Sequence, residues 1–101
     1  MKDPYGNADN LGELADLLKA IAHPARLCIL RGLAAGGENN VSHMQHCMSI
    51  SQSNLSQHLA KMRSQGLLAA RREKNEVYYR IADERILRIV EAIFNYAGDK
   101  D

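Results

Sequence analysis

The sequence lacks the features that define membrane-spanning and disulfide-stabilised proteins. Its 101 residues include two cysteines, which are too few for the disulfide framework of a small secreted domain. No apolar run approaches the roughly 18 residues of a membrane-spanning helix. Residues 1–10 are polar and contain no apolar core of a signal peptide. These absences favour one small cytoplasmic domain without a membrane partner.

Motifs of catalysis and phosphate binding are also missing. Gly36-Gly37 is followed by no lysine and preceded by no strand pattern, so it is not a phosphate-binding loop. Serine, histidine and acidic residues show no arrangement typical of a nucleophilic active site. Asp83 and Glu84 fit the first turn of a helix, where the helix dipole favours acidic side chains. The sequence therefore predicts a protein that is not an enzyme and needs no cofactor.

Acidic residues are absent from residues 48–72, although the net charge of the whole chain is only +1. Residues 51–80 contain six Lys and Arg against two Asp and Glu, whereas acids outnumber bases on both sides of this block. A basic block between acidic parts is typical of a protein with one face that contacts phosphates. The alternative interpretation is a solvated surface rich in basic side chains.

Apolar residues at helical spacing predict five helices, at about 11–22, 24–35, 41–48, 52–65 and 83–96. The predicted boundary signals are an Asn10 N-cap, His23-Pro24 with His23 as an N-cap, Gly36-Gly37, a capping box of Ser42 and Gln45, and Gly66. Residues 67–81 alternate between apolar and polar side chains around a polar turn at 73–76, which predicts a two-stranded hairpin.

This order of elements predicts a mainly α fold with a small β-hairpin, a winged helix-turn-helix domain. The domain is expected over residues 11–97, with polar tails at 1–10 and 98–101. Leu27, Leu30 and Leu33 are the expected core of the second helix. The apolar stripe of the last helix is wider than one small core needs, so the first and last helices are expected to form a homodimer interface.

The predicted fourth helix has the composition of a DNA-reading helix. Its short amides and hydroxyls suit hydrogen bonds to base edges in the major groove, and acidic residues there would be repelled by phosphate. Gln52, Ser53, Ser56 and Gln57 lie near its N-terminal end, which usually enters the groove. The further expected DNA contacts are His58, Lys61 and Arg63 on the helix and Arg71, Arg72 and Lys74 at the hairpin. The alternative is a merely polar, solvent-facing helix.

Four separated blocks of the sequence resemble the ArsR/SmtB family of bacterial repressors. They are LKAIAHPARL at 18–27, SQSNLSQHL at 51–59, GLL at 66–68 and VYYRI at 77–81. The resemblance covers about residues 11–95. It implies a homodimeric winged helix-turn-helix protein that binds double-stranded operator DNA and leaves it when an inducer binds. The helix matching residues 51–65 is the recognition helix in this family.

The sensing residues of known family members have no full counterpart in this chain. The cysteine pair of the arsenic and cadmium sensors falls at about Asn40 and Ser42, which are not soft-metal ligands. The last helix, where the zinc and nickel sensors carry histidines, contains none. Cys28 lies in the helix that carries one cysteine of the persulfide sensors, but about one turn early and without a cysteine in the last helix.

Two sensor hypotheses rest on residues of this chain alone. His43, His46 and Cys47 are spaced to share one helix face and ligate a transition metal. Cys28 and Cys47 lie on successive helices and form a candidate redox-switched disulfide. In both cases the alternative is structural, with core cysteines and surface histidines. The competing function is a protein-interaction module that does not bind DNA.

Overall fold

The computed structural model describes residues 10–96, so the predicted tails lie outside the described residues apart from Asn10. The described part contains five helices: α1 (Leu11–Ile21), α2 (Pro24–Gly36), α3 (Val41–Cys47), α4 (Gln52–Ser64) and α5 (Glu84–Tyr96). It also contains three strands: β1 (Asn39–Asn40), β2 (Leu68–Glu73) and β3 (Glu76–Ile81). The helices lie close to their predicted bounds. Within residues 10–96 no helix is long and apolar enough to cross a membrane.

Several helix ends form as the sequence predicts. His23 Nδ1 accepts a hydrogen bond of 3.0 Å from the backbone N–H of Ala25 and so caps α2, which Pro24 begins. Asp83 precedes α5, and its Oδ1 accepts a hydrogen bond of 2.9 Å from the Arg85 backbone N–H. These side chains satisfy donors that a helix N-terminus otherwise leaves unpaired.

Two predicted N-caps are wrong. Asn10 makes no side-chain capping bond, because its own backbone is already in the helical region, with φ −92° and ψ −11°. The third helix is capped by Asn40, whose Oδ1 accepts a hydrogen bond of 2.7 Å from the His43 backbone N–H. Because α3 begins directly after Asn40, Ser42 lies inside the helix and cannot cap it.

The sheet contains the predicted hairpin and one strand that was not predicted. Strands β2 and β3 pair in antiparallel register, with Leu68 opposite Ile81. Strand β1 adds to the other edge of β3, with Asn39 opposite Tyr79, so the strand order is β1-β3-β2. This third strand joins the segment before α3 to the middle of β3. The hairpin and the helix-turn-helix therefore form one unit.

The core lies between α2, α4, α5 and the base of the hairpin. Its fully buried large side chains are Leu30, Leu55, Leu59, Met62, Leu67, Ile86 and Val90. In α2 the buried residues are Ile29, Leu30 and Leu33, whereas Leu27 is partly exposed, contrary to prediction. The helix is turned so that Ile29 takes the core position. Fixing the inner face of α4 in this core determines which side chains that helix presents to solvent.

Candidate nucleic-acid interface

The outer face of α4 presents the predicted base-reading side chains together. Leu55, Leu59 and Met62 point into the core at i, i+4 and i+7. The exposed residues of the helix include Gln52, Ser53, Ser56, Gln57, Lys61 and Arg63. Ser51 Oγ accepts a hydrogen bond of 3.0 Å from the Asn54 backbone N–H and holds the N-terminal end of the helix in shape. Amide and hydroxyl groups of this kind can hydrogen-bond to base edges.

His58 differs from the other predicted DNA contacts because its ring is engaged within the protein. Its side chain is half-buried, and its Nδ1 accepts a hydrogen bond of 3.1 Å from Arg26 Nε on α2. The rings of His58 and His23 lie 4.5 Å apart, centroid to centroid. The same arginine donates from Nη1 to the Ala20 carbonyl at the end of α1, over 2.8 Å. His58 therefore connects the recognition helix to the junction of α1 and α2.

The hairpin presents two of its three predicted cations at an exposed tip. Its turn consists of Lys74 and Asn75, between strands that end at Glu73 and begin at Glu76. Lys74 has a φ of +58°, in the left-handed region that a tight turn requires. Arg72 and Lys74 are both exposed. Exposed cations at the tip of a hairpin are of the type that contacts phosphates.

Arg71, the third predicted cation of the hairpin, is already paired with two carboxylates of the protein. Its Nε and Nη2 donate to both carboxylate oxygens of Glu38 at 2.8 and 2.9 Å, and Nη1 donates to Glu73 at 2.7 Å. Its guanidinium also lies 4.6 Å from the centroid of the Tyr78 ring. The hydrogen bond from Arg71, together with the charges of Arg71 and Arg80, lowers the pKa of Glu38. Arg71 therefore ties the loop before β1 to the hairpin.

The two neighbouring arginines give a matched test of this difference. Arg72→Ala should reduce the slope of log affinity against log salt by about 1, because one phosphate contact and its released counterion are lost. Arg71→Ala should leave that slope unchanged, since the Arg71 guanidinium already donates its hydrogen bonds to Glu38 and Glu73. The measurement is DNA affinity at several salt concentrations. An equal change of slope in both variants would contradict the assignment.

Both cysteines line one concavity between α2 and α3, of about 460 Å³. Cys28 is half-buried, Cys47 is exposed, and both are free thiols. The Cys47 Sγ lies 3.9 Å from His43 Nε2. The apolar lining includes Ile29, Leu33, Met44 and Met48. The two thiols and one imidazole therefore share a single open site behind the helix-turn-helix.

The predicted metal set of His43, His46 and Cys47 is not formed. His46 lines a separate shallow concavity with Ser42 and Gln45, away from the thiols. Successive residues of a helix point about 100° apart, so His46 and Cys47 diverge. In the part of the chain that the structure describes, no group of three or more His, Cys, Asp or Glu side chains is placed to hold a metal ion.

Large apolar side chains are exposed on α1 and α5. Leu11, Leu18 and Tyr96 are 57, 51 and 95% exposed, and Leu14 and Ile93 are also exposed. These five are the exposed large apolar residues of the described chain, and all of them belong to the first and last helices. Exposed large apolar side chains that are confined to two helices indicate a site of association.

Comparison with known proteins assigns the fold to a family. A family model described as a helix-turn-helix domain matches residues 21–71. The chain is 40% identical over 82 residues to the biofilm growth-associated repressor of Agrobacterium fabrum, covering 81% of this chain and 69% of that protein. The chain belongs to the ArsR/SmtB family. This ArsR/SmtB protein is a DNA-binding transcriptional repressor and not an enzyme, as the sequence predicts.

Solved ArsR/SmtB structures match the fold over nearly the whole chain. HlyU from Vibrio cholerae aligns with a TM-score of 0.83 and 33% identity, over 89% of this chain and 97% of that one. NolR from Sinorhizobium fredii aligns with a TM-score of 0.78 and 33% identity, over 99% and 100% of the two chains. The predicted winged helix-turn-helix fold is therefore confirmed.

Proposed function

We propose that the protein binds an inverted-repeat operator as a homodimer and thereby blocks transcription until an inducer releases it. The α4 helices of the two protomers enter successive major grooves about 34 Å apart. One observation carries the proposal: α4 exposes an acid-free face of serine and glutamine side chains while its inner face is fixed in the core. Because operator DNA belongs to the bacterial chromosome, the protein acts in the cytoplasm.

The contacts divide by chemistry along the interface. Gln52, Ser53, Ser56 and Gln57 read base edges, because their amides and hydroxyls match the donors and acceptors of the major groove. Lys61, Arg63, Arg72 and Lys74 hold phosphates, since each is an exposed cation on α4 or the hairpin. Arg71 and His58 are assigned to positioning instead, because their polar groups are already bonded within the protein.

The exposed apolar side chains of α1 and α5 support the homodimer. Since α1 and α5 carry the exposed large apolar side chains of residues 10–96, a two-fold interface would pair the same apolar surface of both partners. Covering it removes apolar surface from water, which stabilises a domain too small to bury a large core alone. The dimer then sets the spacing between the two recognition helices.

The proposal is tested by equilibrium binding to the DNA upstream of the gene that encodes the chain. We expect tighter binding to this DNA than to a shuffled sequence of the same composition, with affinity that falls steeply as salt rises. Fluorescence anisotropy at several salt concentrations measures both quantities. A dimer with no salt-dependent DNA binding would instead support a protein-interaction module.

For the inducer response we propose a disulfide between Cys28 and Cys47 across the concavity. The two thiols lose two protons and two electrons, which reduce a small-molecule disulfide such as oxidised glutathione to two thiols. Closing the bond draws α3 toward α2 and moves the turn that leads into α4. The shared site and the exposed Cys47 support this assignment.

Treatment with oxidised glutathione should lower operator affinity by about tenfold, the effect of roughly 1.4 kcal/mol of lost binding free energy. Cys47→Ser should abolish the response, and intact-protein mass under non-reducing conditions should show the loss of two hydrogens only in the wild type. Cys28→Ser removes the other half of the proposed disulfide and should abolish the response as well. A response that survives in both variants would contradict the proposed disulfide switch.

A further inference from the structure

Three helices meet at the side chains of His23, Arg26 and His58. Arg26 lies in the first turn of α2 and donates in two directions, to His58 of α4 and to the Ala20 carbonyl of α1. His23 caps α2 and packs its ring against that of His58. The pair Arg26 and His58 is thus a polar connection between α4 and the helices α1 and α2.

The hydrogen bond from Arg26 favours the neutral form of the His58 imidazole. His23 Nδ1 accepts from the Ala25 backbone, and His58 Nδ1 accepts from Arg26. A ring nitrogen that accepts carries no proton, so the His58 ring is neutral with its hydrogen on Nε2. Protonating Nδ1 of His58 would replace the acceptor by an N–H donor that faces the N–H of Arg26 Nε. It would also place a second positive charge beside Arg26.

The surroundings of His58 oppose this protonation. Partial burial lowers the pKa of His58 first, and the positive charges of His23 and Arg26 lower it further. These two groups, at the start of α2, are the charged or titratable side chains that act on His58 from the packed elements. His58 therefore needs a lower pH for protonation than an ordinary histidine does.

We propose that Arg26 and His58 are a positioning pair that holds the recognition helix for operator binding, and that protonation of His58 releases it. The inference rests on the proposed operator binding. Because the neutral ring is favoured in the folded protein, the stabilisation is complete above the unfolded pKa of histidine. It is lost as pH falls through the lower folded-state pKa.

The proposal predicts that operator affinity falls in acid, whereas the added positive charge alone would make it rise. Protonated histidines add positive charge, so unspecific attraction to phosphate should strengthen binding in acid. We expect operator affinity to fall by about tenfold as the pH falls from about 8 through the lowered pKa of His58, the effect of losing one hydrogen bond to a charged donor. Anisotropy at constant ionic strength measures it, with circular dichroism to verify the fold.

The decisive variant is His58→Asn, because asparagine keeps an acceptor near the Nδ1 position and does not titrate. It should bind the operator at about pH 8 and keep that affinity in acid. His46→Asn removes an exposed histidine of α3 outside the cluster and should retain the wild-type profile. A wild type that binds tighter in acid, or a His58→Asn profile that falls like the wild type, would overturn the proposal.

Nuclear magnetic resonance of the wild type gives an independent readout if His58→Asn does not fold. The Nδ1 of His58 should lack a proton at neutral pH and gain one over the same pH range in which operator affinity falls. Protonation outside that range would refute the positioning role. A wild type that shows no operator preference even at about pH 8 would instead count against the proposed function itself.

Discussion

Leu18→Asp should convert the homodimer into a monomer and lower operator affinity by about hundredfold. Leu18 is half exposed on α1, one of the two helices that carry the exposed large apolar side chains of residues 10–96. A carboxylate placed in the dimer interface would lose its hydration without gaining a partner, which is costly. The separated protomers would each hold one half-site, and the gain from joining two binding units, about 10² or more, would be lost.

Sedimentation velocity and anisotropy of the same samples test this prediction. Leu18→Met is the matched control, because it keeps an apolar side chain of similar volume and should preserve both the dimer and its affinity. A Leu18→Asp protein that remains dimeric would place the interface elsewhere. A monomer with undiminished affinity would show that dimerisation is not needed for operator binding.

Gln57→Ala should lower operator affinity by about 10- to 100-fold and leave affinity for shuffled DNA nearly unchanged. The exposed amide of Gln57 lies on the outer face of α4, where it can pair with the edge of one base. A good bidentate contact discriminates against the wrong base by about 1–3 kcal/mol. The amide carries no charge, so its removal should not alter the salt dependence.

Arg72→Ala is the informative comparison for Gln57→Ala. Its phosphate contact contains no sequence information, so operator and shuffled DNA should weaken by about the same factor. Parallel titrations of both variants on both DNA duplexes separate the two roles. If Gln57→Ala weakens both duplexes equally, Gln57 does not read a base.

The elements that carry function could be predicted because their signals are local. Leu55, Leu59 and Met62 recur at helical spacing, so the polar outer face of α4 follows from the sequence alone. The hairpin follows from alternating side chains around a polar turn. The order of these elements, with His23 and Pro24 starting α2, was enough to define the fold.

The positioning contacts could not be predicted because they join distant parts of the chain. Arg71 bonds to Glu38, and Arg26 bonds to His58, across more than thirty residues in each case. Exposed arginines near a DNA-reading helix look alike in sequence, whether they contact phosphate or a carboxylate. Only the pairing of β1 with β3 brings the loop before α3 to the hairpin, where Glu38 meets Arg71.

The N-cap of α3 shows the same limit at short range. Asn40 and Ser42 are both good capping residues, and the Gln45 that follows Ser42 favoured the wrong one. Strand β1 holds Asn40 in an extended conformation, with φ −99° and ψ 164°, which is what an N-cap needs. The pairing of β1 with β3 therefore selects Asn40 as the N-cap, and a sequence of two asparagines does not predict such a strand.

Protection of guanine N7 from methylation tests the central claim most directly, because N7 lies in the major groove. With the protein bound to its upstream DNA, we predict two protected patches centred about 10 base pairs apart, one for each α4 helix. Gln57→Ala should weaken that protection. Unprotected N7 atoms in a saturated complex, or a single protected patch, would contradict a homodimer that reads DNA through α4.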